Sequence, residues 1–148
     1  MLETPHVALG MAIAVAVPNP FIAIPLSFAS HFLLDVTPHW NPHLNTETKK
    51  YGHLSTQTLL IIGLDLVSTI ILTGFAYKLN FNNINLIYCA FSSILPDLLE
   101  APYYIFGFKN KTLETWRQFQ ITIQTDANWF WGMLTQIIVL LGSLYIIT

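Results

Sequence analysis

The segment LLIIGLDLVSTIILTGFAY, residues 59–77, decides the fold class, because it carries only one charged side chain, Asp65. At 1.5 Å per residue, a helix of this length reaches about 28 Å, close to the hydrocarbon thickness of a bilayer. Further apolar stretches lie at 7–17, 21–36, 84–108 and 128–147. The pattern predicts an all-α, polytopic helical membrane protein with four to five transmembrane segments.

Composition supports the same class. The chain has 148 residues, of which 53% are hydrophobic and only 9% are charged, and its mean hydropathy is +0.54. Soluble domains carry about 25% charged residues, so we expect one integral membrane domain over residues 1–148, with membrane lipid as its surroundings. The net charge of −2 and the absence of a basic run exclude nucleic acid as a partner. The single cysteine, Cys89, excludes a Cys-rich zinc site.

The first two apolar stretches are shorter than a standard span. Residues 7–17 cannot cross a hydrocarbon core upright, and the following Pro18-Asn19-Pro20 forces a turn. The sequence therefore predicts that residues 7–17 and 21–36 form a short helical hairpin. Small residues repeat every fourth position in the first stretch, which predicts a face that another helix approaches closely. These residues are Ala8, Ala12 and Ala16.

Positive charge predicts the orientation. If the N-terminus is cytoplasmic, the inside loops carry Lys49, Lys50, Lys109, Lys111 and Arg117. The outside turns then carry only Lys78, which satisfies the positive-inside bias. We expect a protein of the plasma (inner) membrane with a cytoplasmic N-terminus. Apolar spacing within 113–123 predicts an amphipathic helix on the membrane surface.

Ionisable residues within apolar helices are costly in lipid and mark functional sites. With this topology, most of them fall on the cytoplasmic side, and they are His6, His31, Asp35, His39, Asp97 and Glu100. His31 and Asp35 are four residues apart, so they share a helix face. Such a pair binds one metal ion or forms a hydrogen-bonded packing pair. Asp97 and Glu100 are three apart and favour a shared cation or proton.

The remaining ionisable residues give weaker signals. Asp65 lies about ten residues into its helix and serves either packing or a proton relay. Asp126 is expected to be a helix N-cap, where a carboxylate suits the helix dipole. His43 and His53 fall in loops, where solvation explains them. Cys89 is expected to be a small buried apolar side chain.

Three short motifs resemble those of a known family. They are Pro5-His6-Val7-Ala8-Leu9-Gly10, Ser30-His31-Phe32-Leu33-Leu34-Asp35 and Leu95-Pro96-Asp97. They resemble the membrane-bound metal-dependent hydrolases, the family that includes the LexA-binding inner-membrane protein. The match is partial and permuted, because the Pro-Asp block comes last here and Leu99 stands where the family has a second Asp.

The resemblance implies a divalent metal site, with Zn²⁺, Mn²⁺ or Fe²⁺ as the ion. His6, His31, Asp35 and Asp97 are the expected metal ligands. His39 and Glu100 are the expected catalytic residues, with Glu100 as general base. The metal would activate water against an ester or phosphoester of a lipid-like substrate at the cytoplasmic interface.

Two other functions fit the same sequence. A small transporter or proton-coupled carrier would use Asp65, Asp97 and His31 as a relay, and five short helices would then require a homo-oligomer. A non-catalytic membrane adaptor would use the polar residues for helix packing and the surface helix for partner binding. Activity on lipids, flux in proteoliposomes and partner recovery distinguish the three functions.

Overall fold

A computed structural model of the chain describes residues 1–81 and 83–148. Over these residues the fold is all-α, with 80% helix and no β-strand, as the sequence predicts. The helices are α1 Glu3–Ala16, α2 Pro20–Val36, α3 Leu44–Tyr51, α4 Thr56–Leu79, α5 Ile84–Phe106, α6 Lys111–Ile123 and α7 Trp129–Ile147.

Three helices of the described chain are long and apolar enough to cross a membrane, and they are α4, α5 and α7. This is fewer than the four to five segments expected from the sequence. The difference lies in the first two helices. With 14 and 17 residues, α1 and α2 reach only about 21 and 25 Å, short of a hydrocarbon core of about 30 Å.

The short helix α1 occupies the centre of the bundle. It packs against α2, α4, α5 and α7. The approach to α5 is very close at Gly10, where an added Cβ would lie 2.7 Å from the Cys89 carbonyl oxygen and 2.9 Å from Ser93 Cβ. Only glycine permits this approach, because any side chain would displace the backbone of α5. Cys89 is fully buried here, as expected from its apolar surroundings.

The turn between α1 and α2 follows from its prolines. Pro20 begins α2, where its missing N–H costs nothing, and the Asn19 side chain accepts a hydrogen bond from the Phe21 N–H at 3.0 Å.

The expected small-residue face of α1 is confirmed for Ala8 and Ala12, which are buried. It is wrong for Ala16, which is exposed because it ends α1 at the turn.

The polar connections contain two short helices. The loop expected at 37–55 includes α3, whose Glu47 carboxylate accepts hydrogen bonds from Ser55 and Thr58 at the start of α4. The amphipathic helix expected at 113–123 is present as α6. However, Phe119 on its expected apolar face is half-exposed, whereas Arg117 is buried. This helix packs both through the buried polar residues Arg117 and Gln120 and through Trp116 and Phe119, whose rings contact Phe32 of α2.

The outer surface of α4 is apolar and exposed. Leu64, Ile70 and Ile71 are each about two-thirds exposed or more, at 69%, 71% and 67%. Contiguous apolar surface of this kind is unfavourable in water and is expected of a helix that faces lipid. The exposed face of α4 is therefore consistent with a membrane location.

Candidate metal centre

Two histidine rings stack in the centre of the bundle. His6 lies near the start of α1 and His31 near the end of α2, and the turn at 17–19 folds the chain so that they meet. Their ring centroids are 4.1 Å apart with an interplanar angle of 20°, and both side chains are fully buried. The hairpin thus brings together residues that are 25 positions apart in the sequence.

Asp35 lies among three imidazole rings. Its Oδ1 is 3.4 Å from His6 Nε2 and 3.9 Å from His39 Nε2, and its Oδ2 is 3.2 Å from His31 Nε2. The amino nitrogen of Met1 lies 2.7 Å from the same Oδ1. The contact with His31 confirms that these two residues share a helix face, one turn apart.

Helix α5 adds Asp97 to the cluster. Its Oδ1 lies 3.5 Å from His31 Nε2 and accepts a hydrogen bond from Gln120 Nε2 of α6 at 3.3 Å. One ligand atom from each of His6, His31 and Asp97 falls within 4.8 Å of the other two. Ligands in a tetrahedral site at bond lengths near 2.1 Å stand roughly 3.4 Å apart. Three helices therefore supply donor atoms that small shifts would bring to one ion.

Backbone carbonyls determine which ring nitrogens face the cluster. His31 Nδ1 donates to the Ser93 carbonyl at 2.8 Å, and His39 Nδ1 donates to the Thr37 carbonyl at 2.8 Å. In a neutral imidazole, Nε2 is then the acceptor. Both Nε2 atoms face Asp35, and two acceptors require a proton or a cation between them. Carbonyl-oriented histidines are also the usual arrangement around bound metals.

Several atoms of the cluster are buried without a hydrogen-bond partner. They are both ring nitrogens of His6, Nε2 of His31 and of His39, and Oδ2 of Asp35. Each such atom lowers the stability of the folded state by about 1–3 kcal/mol if nothing replaces the hydrogen bond to water that it lost on burial. Imidazole and carboxylate are donors that suit Zn²⁺, Mn²⁺ and Fe²⁺. The residues therefore fit the divalent ion that the resemblance implies. Protonated imidazole rings satisfy the same contacts, and metal analysis distinguishes the two.

Glu100 does not join this group. It is buried, at 8% exposed, and its Oε1 has no hydrogen-bond partner. However, the set of mutually close donor atoms contains Asp97 and not Glu100. The two carboxylates are three residues apart on α5, so they lie on the same side of the helix, about 60° apart around it and about 4.5 Å apart along its axis. The expected role of Glu100 as general base remains a prediction.

Asp65 has a structural role that explains its place within an apolar helix. Its carboxylate accepts hydrogen bonds from the Glu3 N–H at 2.6 Å, the Thr4 N–H at 3.2 Å and the Thr4 hydroxyl at 2.5 Å. These are the unpaired donors of the first turn of α1, so Asp65 caps α1 from a neighbouring helix. No transport role is needed to explain why this charge lies within α4.

The loop histidines and Asp126 lie at the surface. His43 and His53 are exposed. Asp126 is also exposed and is not the N-cap of α7, because Asn128 holds that position and accepts from the Trp131 N–H at 3.0 Å. The expectation for Asp126 is wrong because the helix starts two residues later than the spacing suggested.

The sequence reasoning missed two residues beside the cluster. Glu3 has a buried Oε2 without a hydrogen-bond partner, and its carboxylate lies against Asp97. Its spacing of three residues from His6, on one helix face, was the signal. Gln120 reaches Asp97 from α6. The sequence feature that could have revealed Gln120 is its polar amide on the otherwise apolar face predicted for that helix.

Comparison with known proteins does not assign the chain to a family. No family model matches it, and no curated protein and no solved structure gives a significant match. The resemblance to metal-dependent membrane hydrolases therefore rests on the three short motifs alone.

Proposed function

We propose that this protein is a metal-dependent membrane hydrolase that acts on a lipid-like ester or phosphoester. The observation that supports it is the cluster of buried, unpartnered histidine nitrogens around Asp35 and Asp97. A purely structural cluster would be expected to pair its polar atoms, because each unpaired one destabilises the fold. The motifs that resemble the hydrolase family carry four residues of this cluster, His6, His31, Asp35 and Asp97.

The ion would be held by His6, His31 and Asp97, with Asp35 as a further ligand or as the acceptor that orients the histidine rings. When bound, a divalent ion supplies a Lewis acid that polarises an ester or phosphoryl oxygen and makes water a better nucleophile near neutral pH. The carbonyls of Ser93 and Thr37 direct Nε2 of the histidines inward. They support the site without touching the ion.

His39 is the residue of this cluster that lies outside the helices. It follows α2, and its backbone is held by hydrogen bonds to Thr125 and Ala127 at 3.1 and 2.8 Å. Its Nε2 lies 3.9 Å from Asp35 Oδ1. In this proposal His39, whose Nδ1 is fixed by the Thr37 carbonyl, would exchange protons with the cluster through Nε2, the catalytic role predicted from the sequence.

Membrane placement follows from the long helices and the charges. We infer that α4, α5 and α7 span the bilayer and that the hairpin of α1 and α2 is embedded among them. The ends of α4 and α5 near Lys49 and Lys109 would face the cytoplasm, because five cations lie there and only Lys78 lies at the other end. The cluster would then lie within reach of the cytoplasmic interface and of lipid ester groups.

Metal content is the test of this proposal. The protein, purified in mild detergent without chelators, is compared by elemental mass spectrometry with a His31→Ala, Asp35→Ala variant. A His43→Ala, His53→Ala variant is the matched control, since it removes two exposed histidines. We expect about one equivalent of Zn, Mn or Fe in the wild type and the control, and none in the first variant.

A lack of metal in the wild type after reconstitution would refute the hydrolase proposal. Loss of metal from the control variant would show that adventitious histidine binding was measured. If the site is loaded, the protein is incubated with phospholipids and acyl glycerols, and products are counted with and without a chelator. Hydrolysis that a chelator stops and that His31→Ala abolishes is the expected result.

A further inference from the structure

We propose that a second site, a cavity at the basic end of α4 and α5, binds the phosphate headgroup of an anionic phospholipid. The cavity has a volume of about 670 Å³. Its polar and aromatic lining includes Thr48, Lys49, His53, Tyr103, Tyr104 and Lys109. The inference rests on α4 and α5 spanning the membrane and does not depend on the metal cluster.

The cavity lies where a headgroup would lie. Leu59 belongs to the first turn of α4, and Tyr103 and Ile105 belong to the last turns of α5. The ends of two spanning helices mark the interface between hydrocarbon and water, where tyrosines and lysines concentrate. Leu59 and Ile105 are 53% and 67% exposed, so they present apolar surface to the start of an acyl chain.

The charge of the cavity selects an anion. Lys49 comes from the last turn of α3 and Lys109 from the connection between α5 and α6, so two separate segments supply cations. Of the described residues that line the cavity, none is acidic. The Thr48 hydroxyl also lines it, and its Oγ1 is buried without a hydrogen-bond partner. The two ammonium groups are charge-assisted donors of the kind that bind phosphate.

A nearby arginine is already paired and is left out of the site. The Arg117 guanidinium bonds to Glu114 and Asn45, and it lies over the Tyr103 ring at 4.4 Å. Because its donors are engaged and its charge is balanced by Glu114, it is a weak partner for a further anion. The two lysines therefore provide the binding charge.

Lysines at a helix C-terminus also favour the helix dipole without any ligand. Lys50 offers a control, since it shares the last turn of α3 with Lys49 but does not line the cavity. Lys111 is the corresponding control for Lys109, because it lies two residues further along the chain and does not line the cavity. A dipole effect would be similar for Lys49 and Lys50, whereas a headgroup site distinguishes them.

The test is native mass spectrometry of the full chain in detergent, titrated with phosphatidylglycerol or phosphatidylcholine. The Lys49→Gln, Lys109→Gln variant is compared with the Lys50→Gln, Lys111→Gln control, which loses the same charge. We expect the first variant to bind phosphatidylglycerol roughly thirtyfold more weakly, given about 1 kcal/mol for each of the two lysines near an anionic headgroup. The control should change by less than about twofold.

Equal losses in the two variants, or equal binding of phosphatidylcholine and phosphatidylglycerol by the wild type, would overturn the proposal. A parallel titration with glycerol 1-phosphate separates a lipid from a free phosphate. Binding of phosphatidylglycerol at least about tenfold more tightly than glycerol 1-phosphate supports the lipid, and equal affinity overturns it. Metal content of the same samples reports the hydrolase proposal separately, so the two can fail independently.

Discussion

Two aspartates within apolar helices, the partly exposed Asp65 on α4 and the fully buried Asp35 on α2, differ in how their carboxylates find partners. The Asp65 carboxylate accepts three hydrogen bonds from the first turn of α1 and needs nothing more. Asp35 accepts a hydrogen bond from the Met1 ammonium through Oδ1 at 2.7 Å, but it also faces the Nε2 atoms of three histidines, and its Oδ2 has no hydrogen-bond partner.

The difference teaches how a structural charge is told from a functional one. A carboxylate that pairs with orphan N–H groups stabilises both partners, and its burial is explained by folding alone. The Met1 ammonium pairs only with Asp35 Oδ1, so the histidine Nε2 atoms and Asp35 Oδ2 gain nothing from one another until a further cation or a proton arrives. The cluster around Asp35 is therefore the region where a bound ligand would satisfy unpaired atoms. The carboxylate of Asp65 serves as the comparison, because its hydrogen bonds are already complete.

The largest expected effect comes from metal removal. A ligand at a thousandfold excess over its Kd stabilises the folded state by about 4 kcal/mol. We expect a chelator to lower the Tm of the wild-type protein in detergent and to leave the Tm of the His31→Ala, Asp35→Ala variant unchanged. Differential scanning fluorimetry measures both. A chelator that leaves the wild-type Tm unchanged, in protein that was shown to be loaded, would contradict a structural contribution of the ion.

The second effect concerns the cap. Asp65→Ala leaves the Glu3 and Thr4 N–H groups unpaired, and we expect it to lower the free energy of unfolding by about 2 kcal/mol. Asp65→Asn keeps one carbonyl oxygen and should lose less. Metal content per folded molecule should stay the same in both. Asp126→Ala removes an exposed carboxylate and is the control, which should change neither the free energy of unfolding nor the metal content. Loss of metal from the Asp65 variants would show that Asp65 also contributes to the metal site.

A third effect tests the contact between Gln120 and Asp97. Gln120→Leu removes the amide that donates to Asp97 at 3.3 Å. Outer partners of metal ligands typically contribute 10–100-fold to affinity, so we expect metal affinity to fall roughly tenfold. Competition with a chromogenic chelator measures it. Gln118→Leu on the same helix is the control, because Gln118 is exposed and its side-chain amide donates to Glu114 rather than to the cluster. Equal losses of metal affinity in the two variants would mean that α6 affects the site only by stabilising the fold.

The smallest effect is a pH response at the junction of α3 and α4. The Ser55 N–H donates to the Glu47 carboxylate, and this bond, with the Thr58 hydroxyl, holds the pKa of Glu47 below its ordinary value. A lowered folded-state pKa means that the junction is stabilised above the ordinary carboxyl pKa and loses this stabilisation as the pH falls through the folded value. The Ser55 amide NMR signal should titrate with a midpoint below that of a free glutamate. In Glu47→Gln this titration should be absent, and a midpoint at the ordinary value would show that the bond does not persist in solution.

Much of the cluster could be predicted from spacing and topology. His31 and Asp35 share a helix face because they are one turn apart, and positive charge placed His6 and Asp97 at the same end. Glu3 and Gln120 were not predicted, because their roles depend on which helices become neighbours. The expected count of four to five spanning segments was too high, because it drew on the hairpin of α1 and α2, whose residue counts set a reach below the bilayer core.

Composition and hydrophobic patterning determined the all-α class, the long apolar helices and the confinement of charge to a few positions, because these depend on local residue types and helical period. Only the tertiary structure decided which buried charges are paired. The same residue type serves as the α1 cap at Asp65 and as part of the unpaired cluster at Asp35, since hydrogen-bond partners come from helices that are distant in the chain. Helix packing therefore decides where a ligand is needed.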